Sequence, residues 1–193
     1  MGLDMYLNRI PRFENITPEQ VIGIGGYFDW KDAKAKGSKY AKCTLKEWCG
    51  IDYATLPKRA IKYYQQFYTM KYWLWDNEHK YGHMQIEEEV AYWRKANAIH
   101  NWFVENVQAG VDDCGCYKVS KNQLEELLSK CRLVNENPTN AYEYLPTVDG
   151  FFFGSTTYDE WYLKDIKNTI QSLTKILEET DFDKQMIVYR SSW

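Results

Sequence analysis

The chain has 193 residues and a formal net charge of −3 at pH 7, so its length suits one domain and its charge argues against a general nucleic-acid binder, which normally presents a basic face. No run approaches the roughly 18 apolar residues of a membrane span, and the first residues lack the basic and apolar regions of a signal peptide. An odd count of 5 cysteines without a secretory signal predicts free thiols and a cytoplasmic location.

The first part of the sequence predicts one strand, one short helix and a loop. Residues 3–10 alternate apolar and polar side chains for most of their length, which is typical of a strand. A capping box at 17–20 begins a short helix. The glycine-dense segment after it predicts a turn into a short strand near 27–30. Residues 31–42, rich in Lys, Ala, Gly and Ser, predict a mobile surface loop.

The next segments predict short elements. A second capping box at 44–47 begins a short helix, and another helix begins at Pro57. Residues 71–75 are compatible with either a helix or a strand, and residues 76–82 predict a loop or hairpin turn.

Residues 89–110 predict the central element, a single amphipathic helix of about six turns. At 100° per residue its apolar positions fall on one narrow stripe: Tyr92, Ala96, Ile99, Phe103 and Val107. Glu89, Trp93, Asn97 and His100 flank that stripe. Gly110 suits the left-handed residue that ends many helices.

The last third predicts two helices and two strands. A capping box at 120–123 begins a helix with Leu124, Leu127, Leu128 and Cys131 on its buried face, and residues 135–150 predict a loop. The apolar run 150–154 predicts a buried strand. A fourth capping box at 157–160 begins a helix to about residue 180, and residues 186–193 predict a closing strand. The inward positions of that last helix are Tyr162, Ile166, Ile170, Leu173 and Leu177.

These elements predict an α+β fold in a single domain spanning 1–193. Its sheet is small, mixed or antiparallel, includes both chain termini and packs against about four helices.

A ligand pocket is predicted where the flank of the 89–110 helix meets the small-residue turn before the last helix. A few polar groups converging on an apolar floor are typical of such a pocket. Backbone amides at the start of the last helix, with the neighbouring hydroxyls, suit an anion. The predicted ligand-binding residues are Glu89, Trp93, Arg94, Asn97, His100, Asn101, Ser155, Thr156, Thr157 and Tyr158.

Structural interpretations of the same residues stay open. The flank of the 89–110 helix also fits a boundary strip in which Trp93 packs sideways and His100 bonds to a loop. Thr157 also fits a simple helix cap, and the acidic residues Asp159 and Glu160 would repel a phosphate.

No catalytic residue, metal ligand set or cofactor site is predicted. The cluster Asp112, Asp113, Cys114 and Cys116 lacks the oxygen spacing of a calcium loop, and pairing it with His79 and His83 gives no zinc motif. His100 with Glu89 suits a general base and its orienting carboxylate, but no nucleophile motif accompanies them.

Several stretches together resemble a family of uncharacterised proteins from bacteriophages, prophages and bacteria. They are MGLDMYL at the start, YWRKANAIH, GVDDCG, GFFFGSTTYDEWY and the terminal SSW. The likeness covers 1–7 and about 88–193, which implies that 8–85 is a family-variable insert. The resemblance brings no established activity; it implies a location in the cytosol of an infected or lysogenic cell and an accessory or host-interaction role.

The leading functional hypothesis is therefore a phage or prophage accessory protein that binds a small, nucleotide-like ligand or a host protein, with counteraction of host defence as one such role. Bases stack on aromatic rings, and the chain has 16 Tyr, 8 Trp and 8 Phe. One alternative is a hydrolase of a small phosphorylated or glycosylated molecule. Another is a protein–protein interaction module, including a self-associating oligomer.

Overall fold

The computed structural model describes residues 2–65, 71–74, 80–83 and 88–193. The chain divides into two compact units, a first unit of Met1–Ile10 with Glu89–Trp193 and a second unit of Pro11–Glu88. The expectation that 8–85 varies among relatives concerns other sequences, and it stays a prediction.

The strands of the described residues are, in chain order, β1 (Asp4–Pro11), β2 (Lys71–Leu74), β3 (Lys80–His83), β4 (Glu88–Arg94), β5 (Cys116–Val119) and β6 (Gln185–Ser192). The α-helices are α1 (Pro18–Ala35), α2 (Leu45–Cys49), α3 (Lys58–Tyr64), α4 (Asn97–Asn106), α5 (Lys121–Glu136), α6 (Ala141–Tyr144) and α7 (Glu160–Glu179).

A four-stranded antiparallel sheet of order β4-β1-β6-β5 forms the frame of the first unit. The strands nearest the two chain ends, β1 and β6, are neighbours at its centre, so the predicted α+β class with both termini in the sheet is confirmed. In the second unit, β2 pairs antiparallel with β3. The ambiguous 71–75 stretch is thus a strand over Lys71–Leu74, and the 76–82 loop prediction falls partly outside the described residues.

The core of the first unit lies between one face of the sheet and helices α4, α5 and α7. Met5 and Leu7 of β1 belong to this core, as does Leu3 just before the strand, because side chains along extended backbone alternate between two faces. Helix α5 packs along α7 with the predicted face buried. In α7, Tyr162, Ile166 and Leu173 are buried as predicted, while Ile170 and Leu177 are partly buried.

The predicted six-turn helix at 89–110 is wrong. Its first part is strand β4, in which Ala91 and Trp93 are buried while Tyr92 and Arg94 are exposed, the period of a strand. The backbone breaks at Lys95, whose φ is +58°, and α4 begins only at Asn97. The apolar residues at 92, 96 and 99 fit the stripe of a helix in the linear sequence. Pairing with β1, where the Lys95 amide donates to the Leu3 carbonyl at 2.8 Å, decides the outcome.

The glycine-rich segment of the second unit is also helical rather than a turn. The capping box at Thr17 is confirmed, but α1 continues through the glycines to Ala35. A Cβ on Gly23 would lie 2.4 Å from Ile51 Cδ1, so this glycine allows close packing inside a helix. The strand near 27–30 and the loop at 31–42 are therefore wrong: α1 reaches residue 35, and Lys39–Lys42 form a 3₁₀ helix.

Three predictions for the last third of the chain are also wrong. The run 150–154 is a turn rather than a strand, with Phe151 96% exposed, and the Phe152 carbonyl accepts from the Leu3 amide at 3.1 Å. The cap of α7 is Asp159 rather than Thr157. The predicted loop at 135–150 contains the end of α5, a 3₁₀ helix at Pro138–Asn140 and α6.

Within the described residues, no helix combines the length and the apolar character that crossing a bilayer requires. All five cysteines are free thiols, as predicted.

A buried hydrogen bond ties the sheet to α7. The Trp93 indole N–H donates to the Thr169 hydroxyl at 2.8 Å, and the exposed fractions of the two residues are 4% and 0%. Burial of an indole N–H without an acceptor costs free energy, so this pair fixes the position of α7 on the sheet.

Replacing Thr169 by Val keeps the side-chain shape and removes the acceptor. We expect a loss of about 2 kcal/mol in the free energy of unfolding, because the buried indole N–H is left unpaired. Urea denaturation measures the change, with Thr174→Val on the same helix as the control. A double variant with Trp93→Phe should lose little more than Trp93→Phe alone; full additivity would contradict the coupling.

Candidate functional site

A cavity of about 320 Å³ lies in the first unit between the β4–α4 connection, the 154–159 segment and α7. Its size is at the lower end of ligand pockets in proteins. The lining residues from the first wall are Arg94, Lys95, Ala96, Asn97, Ala98 and Ile99. The opposite side contributes Thr147, Gly154, Ser155, Thr157, Asp159, Trp161, Tyr162, Asp165 and Ile166.

Close backbone contact at one corner shapes the cavity. Lys95 and Gly154 both have positive φ, +58° and +90°. A Cβ on Gly154 would lie 3.1 Å from Lys95 Cβ and 3.2 Å from the Lys95 carbonyl oxygen. A side chain at 154 would therefore meet both a strained backbone and a close neighbour, and glycine relieves both.

The Asn97 side chain holds the same corner together. Its amide nitrogen donates to the carbonyls of Ser155 at 2.7 Å and Phe153 at 3.2 Å, and its oxygen accepts from the Val148 amide at 3.2 Å. Asn97 is 3% exposed, so these bonds replace those it would make with water. Asn97 thus positions the 148–155 segment, and both its amide hydrogens are already engaged.

The predicted anion site at the start of α7 is occupied by the protein itself. Asp159 Oδ1 accepts from the amides of Trp161 at 3.0 Å and Tyr162 at 3.1 Å, and Oδ2 accepts from the Thr157 hydroxyl at 2.8 Å. These hydrogen bonds, led by that from Tyr162, hold the pKa of Asp159 below its ordinary value. The helix amides predicted for a ligand anion are therefore satisfied by a carboxylate.

Asp165 is the unusual acid of the cavity. Burial raises its pKa to about 6, a rise that Lys164 opposes and Asp159 reinforces. Its carboxyl group makes neither a hydrogen bond nor an ion pair within the part of the chain that the structure describes. A partly desolvated carboxylate without a partner is a group that a bound ligand can satisfy.

Charge and polarity are divided between the walls. Arg94 and Lys95, both exposed, bring positive charge from the β4–α4 connection, whereas the acids Asp159 and Asp165 come from the α7 side. Apolar residues also line the cavity, among them Ile99 and Ile166. At the rim, the Trp161 side chain is 64% exposed, with Lys164 Nζ 5.2 Å from the centre of its ring.

Four of the ten predicted ligand-binding residues line the cavity: Arg94, Asn97, Ser155 and Thr157. Glu89 lies exposed on β4, Trp93 is in the core, and Asn101 lies on α4 outside the lining.

Thr156 and Tyr158 support the cavity from outside the lining. The Thr147 hydroxyl donates to the Thr156 carbonyl at 2.9 Å, and the Thr147 amide donates to the Tyr158 hydroxyl at 3.3 Å. Both residues therefore hold a lining residue in place.

His100 belongs to a buried hydrogen-bond network rather than to the cavity. Its Nε2 lies 3.0 Å from Asp112 Oδ2, and its Nδ1 lies 2.7 Å from the Tyr189 hydroxyl. The Trp193 indole donates to the other Asp112 oxygen at 3.2 Å. Burial raises the pKa of Tyr189 well above its ordinary value, so the hydroxyl keeps its proton. A carboxylate only accepts hydrogen bonds, so His100 Nε2 is the donor to Asp112.

That network changes the expected pairing of His100 with Glu89. Asp112, not Glu89, orients the imidazole, and His100 is only 1% exposed. Both ring nitrogens are engaged inside the protein, so the network joins β6 to the α4–β5 connection.

The Asp113–Cys116 cluster is organised as a turn. Asp113 Oδ1 accepts from the Gly115 amide and the Tyr117 hydroxyl, each at 2.8 Å. Among the described residues no group of three or more His, Cys, Asp or Glu side chains is placed to hold a metal ion. His79 and the side chain of His83 lie outside the described residues.

Sequence reasoning missed Lys95, Trp161 and Asp165 as cavity residues. The signal for the last two is their spacing, since residues four apart on a helix share a face. Trp161 and Asp165 occupy polar or exposed positions beside the buried stripe of α7, next to Tyr162 and Ile166.

Comparison with known proteins gave no match to a family model, to a curated protein or to a solved structure.

The Asn97 contacts predict a specific defect in the Asn97→Ala variant. We expect a loss of about 2 kcal/mol in stability and faster hydrogen exchange at the Val148 amide, because that amide loses its acceptor. Hydrogen exchange with mass spectrometry measures both the site and the size of the change. Asn101→Ala on the same helix is the control, and equal exchange in the two variants would contradict the positioning role of Asn97.

The raised pKa predicts that Asp165→Asn stabilises the protein at pH 7.5. The stability linked to the Asp165 proton is fully present below about pH 4 and is lost as the pH rises through about 6. After allowance for solvent screening of a partly exposed group, we expect the variant to gain about 1 kcal/mol at pH 7.5 and nothing at pH 3.5. Thermal unfolding at both pH values tests this, with Glu178→Gln as the control; a gain that is the same at both pH values would refute it.

Proposed function

We propose that the first unit binds a small nucleotide-like ligand in the cavity between the β4–α4 connection and α7. The observation that carries the proposal is the division of the cavity into a cationic wall and an acidic wall, with an exposed indole at its rim. A ligand with an anionic end and a flat, polar ring meets all three parts.

The ring and the phosphate each have a partner of suitable chemistry. Trp161 is exposed enough to stack on a base, an interaction worth about 1–3 kcal/mol in nucleotide-binding proteins. Arg94 and Lys95 supply the charges that phosphates prefer. The volume of about 320 Å³ favours a mononucleotide over a larger ligand.

The phosphate is assigned to the cationic wall and not to the start of α7. Asp159 already satisfies the amides of Trp161 and Tyr162, and its negative charge repels an anion there. This assignment replaces the earlier expectation for the turn of Ser155 to Thr157, whose hydroxyls bond each other at 2.7 Å.

The biological setting of the proposal comes from the resemblance to phage and prophage proteins. Two of the stretches that carry that resemblance, YWRKANAIH and GFFFGSTTYDEWY, supply most of the cavity lining. We therefore propose a phage accessory protein of the host cytosol. Capture of a nucleotide-like signal used in host defence is one role that fits such a cavity.

A hydrolase is the second candidate, and the acids of the cavity favour it. The pKa of Asp165 is raised and that of Asp159 is lowered, the division of a general acid from an ionised partner. In this alternative Asp165, rather than the buried His100, donates the proton to a phosphorylated or glycosylated substrate. A bound nucleotide recovered unchanged after prolonged incubation would argue for binding alone.

Arg94→Gln should weaken nucleotide binding about tenfold, because one charge-assisted contact to phosphate is lost. Isothermal titration of GMP and AMP at low salt gives the affinities, and the loss should shrink as salt rises. Arg132→Gln on α5, away from the cavity, is the control. Equal affinities for wild type and Arg94→Gln, or no binding of any mononucleotide by wild type, would overturn the proposal.

A further inference from the structure

We infer that the cavity selects a guanine-type base, whose two adjacent N–H donors are read by the Asp165 carboxylate while the ring lies on Trp161. This inference rests on the proposed function and adds the identity of the base.

Trp161 and Asp165 are neighbours on the surface of α7. Trp161 and Asp165 are four residues apart on α7 and both line the cavity. Side chains at that spacing are neighbours on a helix surface, with Cβ atoms roughly 5–6 Å apart. A ring stacked on the indole therefore presents its edge towards the carboxylate.

Within the described residues, the Asp165 carboxylate can still accept hydrogen bonds from a ligand. An ionised carboxylate only accepts hydrogen bonds, and its two oxygens suit a pair of parallel donors. Asp165 has no hydrogen-bond partner within the described residues, while the nearby Asp159 is satisfied by Thr157, Trp161 and Tyr162. Of the two acids in the lining, Asp165 is the one available to a ligand.

Guanine, hypoxanthine and adenine differ in the hydrogen-bonding groups of their pairing edges. The pairing edge of guanine places a ring N–H beside an amino group, which gives two donors side by side. Hypoxanthine keeps the ring N–H and lacks the amino group. Adenine presents a ring nitrogen acceptor at the same place, which repels a carboxylate. A site that holds a polar group for a missing donor discriminates strongly, because that group is left unpaired.

The charged residues of the cavity favour one orientation of the ligand. Arg94 and Lys95 come from the β4–α4 connection whereas Trp161 and Asp165 come from α7, so phosphate and base have separate places. The reversed pose would bring phosphate against Asp159 and Asp165 and is disfavoured by like charge. The division of charge therefore supports one orientation, with the base at α7.

The test is isothermal titration of wild type, Asp165→Asn and Glu178→Gln with GMP, IMP and AMP at pH 7.5. We expect wild type and Glu178→Gln to bind GMP at least tenfold more tightly than AMP, with IMP between them. In Asp165→Asn the GMP-to-AMP ratio should fall to about threefold or less, because an amide offers one acceptor and one donor. The affinity for AMP should stay the same or rise.

Each contrary outcome has a distinct meaning. Equal binding of GMP and AMP by wild type, or an equal loss for all three nucleotides in Asp165→Asn, overturns the guanine assignment and leaves nucleotide binding in place. Absence of binding for all three nucleotides overturns the proposed function and this inference together. The melting temperature of Asp165→Asn, measured in the same buffer, verifies that the variant is folded.

Discussion

The buried amide of Asn97 is the interaction on which the candidate site depends. Part of the cavity lining belongs to the irregular segment 147–159, which lacks the repeated hydrogen bonds of a helix or a sheet. Three bonds from one side chain replace them, and the carbonyls of Phe153 and Ser155 are fixed as a result. The close approach of Gly154 to Lys95 then follows, because the segment is drawn against the β4–α4 connection. The start of α4 thus determines the shape of the site through one short polar side chain.

The charges of the site follow from how the start of α7 is satisfied. A helix start usually attracts anions, and here a carboxylate of the chain takes that place. The positive charge available to a ligand is therefore supplied by side chains on the opposite wall, Arg94 and Lys95. One further acid, Asp165, lies in the cavity without such a partner among the described residues, and burial raises its pKa. The arrangement destabilises the empty protein slightly and favours a ligand that brings hydrogen-bond donors.

Local signals in the sequence predicted local structure well, and the errors arose where tertiary contacts decide. The capping boxes at Thr17, Thr44 and Ser120 are present because their hydrogen bonds involve residues only three apart. Strand β4 was taken for a helix, since its apolar residues fit both periods and the pairing with β1 is invisible in a linear pattern. The contact of Gly23 with Ile51 is equally non-local. In the site, polar residues near chain turns were found, whereas Asp165 was missed, because its spacing from Trp161 on α7 places the two on one face without showing that this face borders a cavity.

On the proposed function, the Asp165 carboxylate, which has no hydrogen-bond partner among the described residues, also couples ligand occupancy to acidity. Burial raises the pKa of Asp165 to about 6, so the empty protein takes up a proton there as the pH falls. A ligand that donates hydrogen bonds to the ionised form would lower that pKa, and its binding would release protons into the medium. The measured heat of binding would then depend on the ionisation enthalpy of the buffer, and the affinity would be lower in acidic solution than at neutral pH.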